Sequence, residues 1–193
     1  MNIWVFHATI KKTNYIRMKT TIEEVRKSIR NIPDFPKEGI QFKDVSTAFK
    51  NKKILNFIVC EIANYYKQFE ITKVVGIESR GFILGGSLAI ELHAGFVPIR
   101  KPGKLPAKTF VQSYDLEYGS DSLEIHTDAL DKDDVVLIHD DVLATGGTVN
   151  AAVELVKKFG VTKIYANFFV ELDFLKGRDR LDNSIPVWSL IHF

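Results

Sequence analysis

The chain has 193 residues, 46% of them hydrophobic and 26% charged, enough to bury about 70% of its unfolded surface and too balanced for wholesale disorder or a fibrous repeat. No run approaches the ~18 apolar residues of a membrane span, and a single cysteine, Cys60, excludes an internal disulfide, so a reducing cytoplasm is expected. The net charge of +2 comes from the leader, where Lys11, Lys12 and Arg17 precede every acidic residue; beyond them 23 basic residues face 24 acidic ones, a balance that argues against a nucleic-acid binder.

Residues 1–17 place the apolar run Ile3-Trp4-Val5-Phe6 ahead of their lysines, the reverse of a secretory signal. The two methionines are Met1 and Met18, and helical patterning begins just after the second. Thr20 or Thr21 is the expected N-cap, with Ile22, Val25 and Ile29 on one face. Residues 1–17 are therefore expected to be an extension outside the native chain, with Met18 as its start and residues 18–193 as a single domain.

Ile54, Leu55, Ile58, Val59, Ile62 and Tyr66 share a helix face, and Lys73-Val74-Val75-Gly76-Ile77 reads as the strand it feeds. Residues 81–92 read as a second helix and Phe96-Val97-Pro98-Ile99 as a strand, followed by a basic loop with Pro102, Gly103 and Pro106. Residues 114–118 and 123–126 are expected to pair as a hairpin across Gly119-Ser120-Asp121. Val135-Val136-Leu137-Ile138 reads as a fully buried strand and residues 147–159 as a helix. Residues 163–170 form the next expected strand, 172–181 a short helix and 187–192 a last strand. This alternation predicts an α/β fold: a doubly wound, mainly parallel sheet flanked by helices, with its ligand outside the carboxyl ends of the strands.

The most informative segment follows the buried strand: His139-Asp140-Asp141-Val142-Leu143-Ala144-Thr145-Gly146-Gly147-Thr148. Ala144 to Thr148 offer backbone N–H groups and two hydroxyls to a phosphate, helped by the positive end of the next helix. Asp140 and Asp141 suit vicinal ribose hydroxyls and a nearby developing positive charge. Together they read as a sugar-phosphate site. No lysine follows the second glycine, so this is not a P-loop, and there is no G-x-G-x-x-G. His139 reads as a satisfied strand-end histidine rather than a catalytic group.

This segment resembles the phosphoribosyl-pyrophosphate (PRPP) binding motif of type I phosphoribosyltransferases, and its Asp-Asp-x-Leu-Ala-Thr-Gly-Gly-Thr form is similar to that of the adenine phosphoribosyltransferase family. Further motifs fall in the family's order: Pro33-Asp34-Phe35-Pro36, Phe42-Lys43-Asp44-Val45-Ser46, Glu78-Ser79-Arg80-Gly81-Phe82 and Arg100-Lys101-Pro102-Gly103-Lys104-Leu105-Pro106. So do Ser113-Tyr114-Asp115-Leu116-Glu117-Tyr118-Gly119 and Val170-Glu171-Leu172 with Lys176-Gly177-Arg178.

The resemblance implies transfer of the 5-phosphoribosyl group of PRPP to N9 of adenine, giving AMP and pyrophosphate, a purine-salvage reaction assisted by Mg²⁺. It implies that Ala144, Thr145, Gly146, Gly147 and Thr148 hold the 5′-phosphate and that Asp140 and Asp141 face the ribose. Glu78, Ser79, Arg80, Lys101 and Lys104 would meet the pyrophosphate, with the Glu78-Ser79 peptide cis. No direct metal ligand is implied, the Mg²⁺ being held by PRPP oxygens and water. Residues 104–118 correspond to a flexible lid, in which Glu117 would handle the purine proton and Tyr118 seal the pyrophosphate side. Phe42 would stack on adenine, with Gln41 and Lys43 beside it and Val142 on the other ring face. The family more usually has an apolar residue, an arginine and a leucine where this chain has Gln41, Lys43 and Val142. A homodimer in the cytoplasm is implied, with neither nucleic acid nor membrane as partner. The alternatives are a related enzyme for another purine and a non-catalytic sensor of PRPP or nucleotide.

Overall fold

The structure, a computed structural model, describes residues 20–115 and 120–193. The extension read at residues 1–17 lies outside these residues, as do Glu117 and Tyr118. The first helix, α1 (Ile22–Ser28), is capped by Thr21 in a closed box. The Glu24 amide donates to the Thr21 hydroxyl at 3.2 Å and the Thr21 amide to the Glu24 carboxylate at 2.8 Å. A ribbon of β1 (Arg30–Pro33) and β2 (Gln41–Asp44) follows, with Ile32 opposite Phe42. Hydrophobic pattern did not predict it, because Arg30–Pro33 carries one partly buried apolar side chain, Ile32, and ends in proline. Next come the single turn α2 (Ser46–Phe49) and α3 (Lys52–Tyr66), the latter capped by the Asn51 carboxamide.

The remaining elements are β3 (Lys73–Ile77), α4 (Gly81–Glu91), β4 (Gly95–Ile99), β5 (Thr109–Asp115), β6 (Ser120–His126), β7 (Val135–Leu143), α5 (Gly147–Lys157), β8 (Lys163–Glu171) and β9 (Val187–His192). β4, β3, β7, β8 and β9 lie in that order as a parallel five-stranded sheet, the expected architecture. From β3 the chain winds to the β4 edge, then returns to place β7 on the other side of β3. The winding direction thus reverses between β3 and β7, which opens a crevice at their carboxyl ends.

Strand alternation divides the core in two. Val75, Ile77, Val136 and Ile138 pack with Leu123 and Ile125 of β6 and with Ala152 and Leu155 of α5. Val74 and Leu137 pack on the other face with Ile58, Ile62 and Tyr66 of α3 and Leu84 and Leu88 of α4.

Three expectations change. β7 is nine residues long, so Asp140 and Asp141 belong to the strand itself rather than to a loop after it. β8 pairs with β7 as far as Leu143, and that pairing extends the strand beyond its apolar run. The hairpin runs in register from Thr109 opposite His126 to Asp115 opposite Ser120, so Ser120 and Asp121 are strand residues. Residues 172–181 form two 3₁₀ turns, Asp173–Leu175 and Gly177–Arg180, separated by Lys176 at φ 51°. The Arg178 guanidinium holds the buried Glu171 carboxylate at 2.5 and 2.7 Å and bends the segment back toward the sheet.

His139 is fully buried, and its Nδ1 lies 2.7 Å from Asn167 Oδ1, while the Asn167 Nδ2 donates to the Trp188 carbonyl at 3.1 Å. A polar line therefore crosses β7, β8 and β9, though Nε2 has no hydrogen-bond partner among the described residues, so the histidine is satisfied on one side only. Burial, opposed in part by the Asn167 contact, drives its pKa down to about 4. Because the folded pKa lies below the ordinary 6.5, the unfolded chain binds a proton in this window that the folded chain refuses. The stability this histidine withholds from the acid side is present above about 6.5 and is lost as pH falls toward 4, up to about 3 kcal/mol. Denaturant unfolding of wild type and His139→Gln between pH 7 and 4 should show the wild type losing more stability, and parallel curves would contradict this.

Candidate active site

The crevice is lined by residues from two consecutive strand-to-helix turns. At the first, β3 pairs with β7 only as far as Gly76 opposite His139, leaving the β3-facing edge of β7 open beyond that point. The N-terminus of α4 fills this opening. A Cβ on Gly81 would lie 2.8 Å from the His139 carbonyl and 3.1 Å from Asp140 Oδ1, so the helix start approaches the acids as closely as backbone allows. The Glu78-Ser79 peptide is cis, as the motif implied.

Asp140 and Asp141 lie side by side, with the Asp141 amide donating to Asp140 Oδ1 at 2.8 Å. Asp141 is almost wholly buried, and Arg80 Nε approaches its Oδ2 at 2.7 Å. That approach is not aligned as a hydrogen bond, so the contact is an ion pair. Burial, reinforced by the Asp141 charge, pushes the Asp140 carboxyl well above the usual range. Burial also raises Asp141, and Arg80 opposes the rise. The pair is therefore short of positive charge.

At the second turn, Gly146 at φ 83° is the N-cap of α5, which has neither a side-chain cap nor an acidic residue in its first turn. Its leading N–H groups are left for an anion. Ala144, Thr145, Gly146 and Thr148 line one small cleft together with Asp140 and Val142. The turn is held from behind by backbone: a Cβ on Gly177 would sit 2.3 Å from the Ala144 carbonyl, and one on Gly146 would sit 2.2 Å from the Gly177 carbonyl.

The Glu78 carboxylate accepts from the Arg100 guanidinium at 3.0 and 3.2 Å and from the Lys101 amide at 2.9 Å. Its pKa is lowered, first by the Arg100 bonds and then by the Lys101 amide. Arg100 also donates to the Lys104 carbonyl at 3.2 Å. The Lys101 ammonium contacts Asp121 and, at 3.1 Å, the Tyr114 hydroxyl. Arg100, Asp121 and Tyr114 were not singled out as site residues from sequence, because their partners lie 13 to 22 positions away.

Phe42 belongs to the β1–β2 ribbon, where the edge of Phe35 meets it at 5.1 Å and the Arg80 guanidinium lies 5.8 Å from its ring centroid. Arg80 thus stands between the acid pair and the aromatic ring. Gln41 and Lys43 find other partners. Gln41 accepts from Asn31 at 2.6 Å, and the Lys43 ammonium lies 4.3 Å from the Phe193 ring centroid.

The chain matches the phosphoribosyl transferase domain model over residues 45–191. It is 56% identical over 169 residues to the adenine phosphoribosyltransferase of Bacteroides thetaiotaomicron, covering 88% of this chain and 96% of that protein. The chain belongs to the adenine phosphoribosyltransferase family. Among solved family members, that of Rhodothermus marinus superimposes with a TM-score of 0.84 at 49% identity, covering 89% of this chain and 98% of that one. That of Giardia lamblia, solved in complex with 9-deazaadenine, gives 0.86 at 44% identity, covering 90% and 98%. In this family member the acid pair, the uncapped helix start and Arg80 meet at one crevice, while Glu117 and Tyr118 lie outside the described residues.

Because Gly177 and the turn from Ala144 to Gly146 touch backbone to backbone, Gly177→Ala should displace the turn. Its KM for PRPP should rise about tenfold or more, and an unchanged KM would contradict this packing.

Proposed function

We propose that the residues of this crevice carry the family's reaction in defined roles. The chain is an adenine phosphoribosyltransferase: it transfers the 5-phosphoribosyl group of PRPP to N9 of adenine, forming AMP and releasing pyrophosphate. The observation that carries the reading is one cleft holding both an uncapped helix N-terminus and the half-buried Asp140 carboxylate, next to buried Asp141. An anion and a nascent cation, the two ends of a phosphoribosyl group, match those two features.

The turn from Ala144 to Thr148 binds the 5′-phosphate through amides and hydroxyls. Asp140 and Asp141 accept from the ribose hydroxyls and favour positive charge on the ring as C1′ parts from the pyrophosphate oxygen. Arg80, Lys101 and Lys104 receive the pyrophosphate, while Glu78 and Ser79 shape the turn that presents Arg80. Phe42 stacks on adenine and Val142 closes the opposite side. Among the described residues β2 has a sheet partner on one edge only, which leaves backbone groups beside Gln41 and Lys43 to read the purine. As N9 bonds to C1′, its proton passes to the Glu117 carboxylate, and Tyr118 covers the pyrophosphate.

The donor set fits an Mg²⁺ that enters on PRPP. Among the described residues the group spaced for a metal is Glu171, Asp173 and His192, and its buried member is already held by Arg178. When bound on the pyrophosphate, the ion neutralises charge on the leaving group. No helix of the described residues is long and apolar enough to cross a membrane, and with a lone cysteine this supports a cytoplasmic protein. Ile83, Ile90 and Phe96 are exposed on α4 and β4, an apolar surface that supports a homodimer. Light scattering should then report twice the chain mass, and a monomer at working concentration would remove the dimer.

Purified protein with PRPP and Mg²⁺ should release pyrophosphate with adenine and not with hypoxanthine, guanine or xanthine. Glu117→Gln should lower kcat about a hundredfold or more with a far smaller change in KM for PRPP. Release with another base would change the substrate, and an unimpaired Glu117→Gln would remove the proton-transfer role.

A further inference from the structure

The side chain assigned to the pyrophosphate already holds an anion. Lys101 follows β4, and its main chain is fixed by the hydrogen bond its amide donates to the Glu78 carboxylate. The neighbouring Arg100 is committed to Glu78 and joins β6 through paired backbone bonds with Glu124 at 2.9 and 2.7 Å. The Gly103 amide donates to the Glu124 carboxylate at 3.1 Å. Against this rigid frame the Lys101 side chain reaches across to the hairpin, where Asp121 Oδ2 accepts from its ammonium. The Tyr114 hydroxyl accepts from the same ammonium at 3.1 Å and lies 3.3 Å from Asp121 Oδ2.

An anionic oxygen flanked by a hydroxyl is the ligand environment that a phosphate oxygen with a bound water would provide. The Lys101 and Asp121 side chains are 38% and 31% exposed, so the pair faces the solvent from which a ligand arrives. A pyrophosphate oxygen bonded to the Lys101 ammonium would stand within a few ångströms of the Asp121 carboxylate, and like charges at that distance repel. One of the two anions must leave.

We propose that Asp121, supported by Tyr114, is a tethered substitute for pyrophosphate at Lys101: PRPP binds by displacing it, and it reclaims the ammonium when pyrophosphate departs. This rests on the assignment of Lys101 to the pyrophosphate given above. Asp121 is then a positioning residue acting through Lys101. Its substitute role favours release of a leaving group that the site must otherwise bind tightly, and between turnovers it keeps the lysine ordered against the hairpin. The titration behaviour agrees with the pairing. The Lys101 bond holds the Asp121 carboxyl below its usual range, and the Asp121 and Tyr114 bonds outweigh burial to hold Lys101 above its own.

The direction of the effect separates this role from a structural one, since removing a support weakens binding whereas removing a competitor strengthens it. Titration calorimetry of the full chain with Mg²⁺ and inorganic pyrophosphate, then with PRPP, should find Asp121→Asn binding both about two- to fivefold more tightly than wild type. Tyr114→Phe should shift affinity in the same direction by less. In a Lys101→Met background, Asp121→Asn should have no effect. Unchanged or weaker binding by a folded Asp121→Asn would overturn the proposal, and so would an equal gain without Lys101, which would reflect net charge alone. A wild type that binds neither ligand would remove the assignment of the crevice as well, whereas binding without the gain removes only the competitor.

Discussion

The site depends on two adjacent carboxylates held at the buried end of the central strand. Neighbouring acids in a parallel sheet repel each other and lose hydration, and both effects raise the cost of their charge. β7 tolerates them because its pairing is asymmetric: β8 continues alongside to Leu143, while β3 stops at His139. The vacated edge admits the start of α4, and with it Arg80, whose guanidinium meets Asp141 at 2.7 Å. One cation for two acids leaves a deficit. In the proposed reaction, a ribose that becomes cationic as its bond to pyrophosphate stretches would fill that deficit, so the interaction would grow along the reaction coordinate.

The same logic governs the opposite sign. The start of α5 has no side-chain cap and no acid in its first turn, so its positive end is uncompensated. Holding such a turn in shape without side-chain caps requires support from elsewhere. Two glycines supply it by bringing the backbone of Gly177 against that of Ala144 and Gly146. Glu171, buried and bound to Arg178 and to the Ser189 hydroxyl at 2.6 Å, anchors the segment that carries Gly177. The motif residues downstream of β8 are therefore the back wall of the turn from Ala144 to Thr148.

How much of this was legible in the sequence follows from the range of each interaction. Alternating apolar runs revealed the parallel sheet, and the dense local segment from Asp140 to Thr148 marked the turn that opens α5, because contiguous residues carry both signals. The β1–β2 ribbon was not readable, since pairing between Ile32 and Phe42 and an edge contact with Phe35 hold it rather than a buried alternating face. Residues 172–181 look helical in composition, yet the Arg178–Glu171 ion pair and Lys176 at positive φ break them into two turns. The partners of Lys101 were invisible for a different reason. Tyr114 and Asp121 reach it only because the hairpin register places them opposite each other, and register is a property of two strands.

Seen as charges, the crevice is largely matched to itself before any ligand arrives. Arg80 answers Asp141, Arg100 answers Glu78, and Lys101 answers Asp121. These pairs differ in what a ligand can do to them. Arg100 is bound by both carboxylate oxygens of Glu78, which is itself fixed by the Lys101 amide, so exchanging Arg100 would cost two hydrogen bonds to an anchored partner. Arg80 keeps its buried acid through one unaligned contact, and Lys101 meets a partly exposed carboxylate. The rigid pair sets geometry, and under the proposed assignments the two looser ones would exchange partners. A polyanion that engages both Arg80 and Lys101 must span the distance between α4 and β4 while its sugar reaches the acids of β7. In the proposed binding mode, that simultaneous demand, more than the strength of any one cation, would distinguish PRPP from free phosphate.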